Sequence, residues 1–159
     1  MYKKLQNYFT NVSSTHKEKK ASSLFLKNVI HIGSITETNH NIFFEMPQSF
    51  RAIVVSKKDD KFDIDIKDRT IDLLPDGDLL IRVEFSSLNY KDALSATGAK
   101  GVTKVYPHTP GIDAAGIVEQ SNNERFPIGS SVIVTGFDLG MDTSGGFSEY
   151  IRVPSHWAV

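Results

Sequence analysis

From Phe50 onward the sequence alternates short runs of β-forming residues with breaks rich in Gly and Pro, and this rhythm is what most restricts the fold. Ala52-Ile53-Val54-Val55 is a β-branched run, and Phe62-Asp63-Ile64-Asp65-Ile66 alternates apolar with polar residues. Between them Lys57-Lys58-Asp59-Asp60-Lys61 is a polar turn, so the pair predicts a hairpin with one wet face. Pro75-Asp76-Gly77-Asp78 marks the next turn, because Pro fixes φ and Gly accepts positive φ. It leads into a strand over 79–85, and further strands are expected at 116–120, 131–135 and 147–153. A single helix is expected over 90–96, opened by Asn89 and closed by Gly98. Many short strands with one short helix and no internal repeat predict a mainly β fold, a small barrel.

Composition changes near residue 46. Residues 1–45 are rich in Lys, Ser, Thr and Asn, lack Arg and Pro, and show no periodicity. They are expected to form an unstructured extension, and the alternative reading makes Met46 the natural start, with a strand following at once. The apolar patch Leu24-Phe25-Leu26-Lys27-Asn28-Val29-Ile30 is too short and too far from the start for a secretory signal. The folded domain is therefore expected to occupy 46–159.

Charge and cysteine content exclude several functions. A net charge of -1 argues against binding to nucleic acid or an anionic membrane, both of which call for a basic surface. With no cysteine, the chain offers no disulfide, thiolate nucleophile or cysteine-ligated zinc site. The apolar runs fall far short of the roughly 20 residues a membrane helix needs, so a soluble, cytoplasmic protein is expected.

Two stretches carry candidate chemistry. In Ser86-Ser87-Leu88-Asn89-Tyr90-Lys91-Asp92-Ala93-Leu94 a strand ends and a helix opens, which gathers polar side chains and free backbone N–H groups at one end of the fold. Asn89 is a favoured N-cap, and Asp92 at the third helical position complements the helix dipole. Capping leaves Tyr90 and Lys91 unexplained. In Pro110-Gly111-Ile112-Asp113-Ala114-Ala115-Gly116 the small residues permit close approach, and Asp113 is an acid among apolar neighbours that needs a partner. It either satisfies turn N–H groups or faces a pocket. Gly145-Gly146-Phe147-Ser148-Glu149-Tyr150 reads as architectural, with Glu149 as a solvated strand residue. His108 and His156 have no second ligand at metal spacing and read as surface or turn residues.

Taken in order and spacing, Ser86–Asp92, Gly98, the Pro-Gly-Ile-Asp-Ala-Ala-Gly stretch and the Gly-Gly-Phe-Ser-Glu-Tyr strand resemble the GroES-like N-terminal domain of the medium-chain dehydrogenase/reductase superfamily. Ser-Ser-Leu-Asn-Tyr-Lys-Asp is similar to the quinone oxidoreductase branch that includes NADPH-dependent acrylyl-CoA reductases. The resemblance implies a partly open GroES-like barrel with one or two short helices. Zinc alcohol dehydrogenases carry a ligand cysteine where this chain has Asn89 and a ligand histidine where it has Ile112, so the resemblance implies a zinc-independent enzyme. It further implies hydride transfer from NADP(H) to an activated C=C bond of an enoyl thioester or a quinone. Asn89, Tyr90 and Asp113 are then the expected catalytic residues. Asn89 and Tyr90 would border the nicotinamide, Asp113 would hold the cluster, and Lys91 and Asp92 would orient Tyr90 or form a local ion pair. No Gly-x-Gly-x-x-Gly follows a strand here, so the expected Rossmann domain is absent from this chain and the chain alone is expected to be inactive. A homodimer is left open for the full-length enzyme. The competing reading is a non-enzymatic GroES-like interaction module.

Overall fold

The computed structural model describes Pro47 and residues 49–159, so the readings made for residues 1–45 and for Met46 lie outside the described residues. Strand β1 (Ser49–Lys58) pairs antiparallel with β2 (Lys61–Thr70). The turn between them is tighter than expected. Only Asp59 and Asp60 lie outside the strands, both at positive φ (48° and 60°), the conformation of a two-residue hairpin turn. The wet face belongs to β2 alone. In β1 Ala52, Ile53, Val54 and Val55 are all buried, because a second layer covers the face that the hairpin pattern would leave open.

That layer is a four-stranded antiparallel sheet in the order β5-β4-β3-β6. It comprises β3 (Leu79–Phe85), β4 (Asp113–Ser121), β5 (Ser131–Thr135) and β6 (Tyr150–Val153). One face packs Leu79, Ile81, Val118, Val132, Val134 and Ile151 into the main core. The other sets Leu80 and Tyr150 against Phe50, Ala52 and Val54 of β1. Alternate residues of β3 thus serve two cores, as the period of a strand requires.

The two ladders meet through single contacts. Ile53 N–H donates to the Phe147 carbonyl (2.9 Å), Glu149 N–H to the Arg51 carbonyl (3.0 Å), and Val55 exchanges both bonds with His108. Among the described residues no continuous ladder closes the sheets, so the barrel is partly open. This also shortens the last strand, expected over 147–153. Residues 147–149 serve β1 before the chain joins β3 at Tyr150. The far edge of β5 is covered by the chain terminus, where Ile133 and Val159 exchange two backbone bonds of 2.9 and 3.0 Å.

Among the described residues one α-helix, α1 (Tyr90–Thr97), leaves the end of β3, and two single 3-10 turns lie at Ile71–Leu73 and Ser155–Trp157. Gly98 ends α1 in the left-handed conformation (φ 71°), the role its position predicts. No helix among the described residues is long and apolar enough to cross a membrane.

Candidate active site at the opening of α1

The chain between β3 and α1 is held by two carboxylates that flank Asn89. Asp92 is fully buried, and its Oδ2 accepts the Asn89 N–H at 2.7 Å, one arm of a capping box. Its Oδ1 reaches out of the helix and accepts the N–H groups of Gly111 (3.1 Å) and Ile112 (3.0 Å). One carboxylate therefore fastens the start of α1 to the turn that precedes β4. Burial pushes the Asp92 carboxyl above its ordinary range, while the three N–H donors oppose that shift and the nearby Asp113 charge adds to it.

Asp113, the first residue of β4, is half-buried and fully engaged. Its Oδ1 accepts Ser87 N–H at 2.9 Å, and its Oδ2 accepts the Ser87 hydroxyl (2.7 Å) and the Asn89 amide (2.9 Å). The Ser86 hydroxyl donates to the Asp113 carbonyl at 2.7 Å. The carboxylate thus takes turn and side-chain donors at once, which is the turn-satisfying reading of this residue. Asn89 spends its second amide hydrogen on the Ser87 hydroxyl (3.1 Å), so its side chain is committed inward.

Tyr90 is the opposite case. As the first residue of α1 it is 79% exposed, and among the described residues no hydrogen bond to its hydroxyl is seen. Phe85, at the end of β3, is 72% exposed. Lys91 is exposed too, and the local ion pair expected between Lys91 and Asp92 does not form. Asp92 turns inward to backbone donors, whereas Lys91 points to solvent on the next helical position. The structure brings Asn89, Asp92 and Asp113 into one bonded cluster with Tyr90 on its rim, and leaves Lys91 outside.

Ser86 and Ser87 belong to this cluster although the sequence assigned them no role. Two hydroxyl residues directly between a strand and an N-cap are the signal that pointed to them, since such residues readily bond nearby backbone. His108 is a correction. It is buried, not a surface or turn residue, with Nε2 2.8 Å from the Gly140 carbonyl, and burial holds its pKa below the ordinary value. The bridge to β1 draws it inside. Glu149 is likewise not simply solvated: its carboxylate takes Nε and Nη2 of Arg51 at 3.1 and 2.9 Å.

The exposed Tyr90 ring stands at the rim beside the neutral hydrogen-bonding groups of Ser87 and Asn89. Among the described residues no cluster of three His, Asp or Glu side chains could hold a metal ion.

A partly open two-sheet barrel with a polar cluster where β3 passes into a short helix defines the class of GroES-like domains. Comparison with known proteins agrees. The profile of the alcohol dehydrogenase GroES-like domain matches residues 75–159. A putative quinone oxidoreductase of Bacillus subtilis, YhfP, is 40% identical over 114 residues, covering 72% of this chain and 34% of the relative. The acrylyl-CoA reductase AcuI of Ruegeria pomeroyi is 39% identical over 112 residues, covering 69% of this chain and 34% of the relative. The crystal structure of the yhdH oxidoreductase of Salmonella enterica in complex with NADP superposes with a TM-score of 0.67 at 38% identity, covering 69% of this chain and 34% of that one. The chain belongs to the alcohol dehydrogenase GroES-like domain family, in the medium-chain dehydrogenase/reductase superfamily. It spans about a third of the length of these relatives.

Proposed function

We propose that this domain is the substrate side of a zinc-independent, NADPH-dependent reductase that moves hydride to an activated C=C bond, with an enoyl thioester such as acrylyl-CoA as substrate. The observation that carries the reading is the exposed Tyr90 on the rim of a rigid Ser87–Asn89–Asp113 cluster. The likeness to an acrylyl-CoA reductase and to an NADP-bound oxidoreductase supports it. A quinone or enone substrate is the second reading, supported by the name of the Bacillus subtilis relative.

Bound nicotinamide would supply the hydride. The residues here supply orientation and hydrogen bonds. Charge would build on the substrate carbonyl oxygen during reduction, and the exposed Tyr90 hydroxyl, without a hydrogen bond among the described residues, is the donor that would stabilise it. Tyr90 and Asn89 would border the nicotinamide, with Asn89 held in place by Asp113. The hydrogen bonds of Asn89 and Asp113 to each other and to Ser87 keep that wall from rearranging, so it is preorganised before substrate arrives. Asp113 accepts three hydrogen bonds and acts as an anchor for the wall. Asp92 is a positioning residue that sets the angle of α1. Asn89 and Ile112, where zinc enzymes carry cysteine and histidine, support zinc independence, since Ile112 has no donor atom.

Tyr90→Phe tests the assignment in a polypeptide that carries this domain together with a nicotinamide-binding domain. With acrylyl-CoA and NADPH, loss of nicotinamide absorbance should slow by about tenfold or more in kcat/KM, the scale of one lost transition-state donor. Thermal stability should not change, because the hydroxyl meets solvent. Unchanged kinetics would remove Tyr90 from the site.

A further inference from the structure

The end of β3 remote from α1 opens into a cleft of about 250 Å³ whose lining includes Asp76, Asp78, Gln120, Asn122 and Arg152, with Leu80 its one apolar side chain. Leu80 pairs with Gln120 on β4 and with Arg152 on β6, which sets those two side chains on one face of the sheet. Three loops wall the cleft and are tied to one another. Asp78 Oδ2 accepts the Ser155 N–H (2.9 Å) and the Ser155 hydroxyl (3.0 Å), and the Asp78 carbonyl accepts the Asn122 N–H at 3.0 Å. The Asn123 amide donates to the Ser155 hydroxyl at 3.0 Å. Gly77 lies against β6, where an added Cβ would come 2.5 Å from the Val153 carbonyl carbon.

Those bonds engage the loop backbone and the side chains of Asp78, Asn123 and Ser155. They leave Asp76, Gln120, Asn122 and Arg152, whose side chains make no hydrogen bond or ion pair among the described residues. Arg152 is half-buried all the same, whereas Arg51 and Arg82 are each ion-paired to a glutamate. A half-buried guanidinium has given up part of its hydration without gaining an acceptor. A carboxylate ligand would supply two acceptor oxygens in the planar geometry that guanidinium matches. The walls are thus fixed by groups other than those that face a ligand.

We infer that this cleft binds a small α-amino acid, its carboxylate on Arg152 and its ammonium on Asp76. Size removes larger ligands. At about 30 Å³ per water the cleft takes the volume of roughly eight waters. That is below the roughly 300–1,000 Å³ of sites for drug-sized molecules, so a nucleotide does not fit. Charge removes simple anions. Hydrogen bonds from Ser155 hold the Asp78 carboxyl below its usual range, so Asp76 and Asp78 set two negative charges against the single Arg152. Phosphate is repelled there, whereas a zwitterion presents one charge of each sign. No aromatic ring lines the cleft, so it offers nothing to a quaternary ammonium, while a primary ammonium donates hydrogen bonds. The amides of Gln120 and Asn122 each present donors and an acceptor, which suits a short polar side chain such as that of serine. The cleft and the Asn89 cluster stand at opposite ends of β3, about 20 Å apart along the strand, so this amino acid is a second ligand and not the substrate of the proposed reduction.

The test is an NMR titration of the isotope-labelled full chain with L-serine. Saturable shifts confined to the amides of residues 76–80, 120–123 and 152–155 are expected, with a dissociation constant on the order of 1 mM because the charge pairs keep contact with water. Acetate, methylamine and glycine betaine each lack one of the two recognised groups, and each should bind at least about tenfold more weakly than serine. Arg152→Gln and Asp76→Asn should each weaken serine binding by about tenfold. Neither side chain holds the loops together, and a spectrum otherwise like that of the parent checks the fold. Absence of saturable shifts up to about 50 mM serine would overturn the inference. So would shifts only at other amides, any of the three controls binding as tightly as serine, or either variant binding serine as the parent does.

Discussion

Asn89 and Asp113 lie 24 residues apart in sequence and are joined by a 2.9 Å hydrogen bond from the Asn89 amide to Asp113 Oδ2. This bond links the N-cap of α1 to the first residue of β4, so the helix that carries Tyr90 is indexed to the sheet and not to its own loop. Replacing Asp113 by Ala leaves the Ser87 N–H, the Ser87 hydroxyl and one Asn89 hydrogen without their acceptor. The expected loss is about 1–2 kcal/mol of stability, softened because the group is only half-buried and water can enter. Chemical denaturation measures it, and an unchanged midpoint would show that the cluster rearranges freely.

Asp92→Asn should cost more than Asp113→Ala. Both Asp92 oxygens accept from backbone N–H groups, and an amide must turn a donor toward one of them. One buried donor–donor contact costs about 1–3 kcal/mol, with a lost acceptor added to it. The thermal midpoint should fall by several degrees. Amide exchange at Gly111 and Ile112 should accelerate in the same variant, which separates this contact from a general loss of packing.

His108 should make the fold sensitive to mild acid. Its Nε2 lies within hydrogen-bond distance of the Gly140 carbonyl, and burial lowers its pKa below the ordinary 6.5. The unfolded chain therefore binds the proton first as pH falls, and stability drops below about pH 6.5 down to the folded-state value. The Asp142 charge nearby opposes the shift and narrows that window. His108→Gln keeps a donor for Gly140 without a titrating ring. Its stability should be flatter between pH 7 and 5 than that of the parent, as followed by urea unfolding at each pH.

Gly140→Ala should be severely destabilising. Gly140 has φ 70°, and an added Cβ would lie 2.5 Å from backbone atoms of Gly111, which have no room to yield because Asp92 holds that turn. Gly129→Ala is the control. It shares a positive φ (89°) but has open space around the new methyl, so only the conformational cost of about 1 kcal/mol applies. The difference between the two midpoints measures the close approach alone.

The sequence by itself determined most of the elements and marked the polar stretches that the fold gathers at the opening of α1. Turn chemistry and period-2 alternation marked β3 and β5 at their observed bounds, and Asn89 and Gly98 marked the ends of α1, because these signals act within a few residues of each other. The motif around Asn89 and the stretch at Asp113 were each visible as polar groups in need of partners. Only the tertiary structure decided which partners they take. Nothing local tells Asp92 to reach Gly111 or Asp113 to gather Ser87 and Asn89, since those bonds join segments about 20 or more residues apart and exist only once the sheet has formed. The same holds for His108, which sits between two prolines like a turn residue in sequence yet is buried in space. Local propensity places a residue on an element, whereas burial and hydrogen-bond satisfaction depend on what the folded chain brings to it from elsewhere.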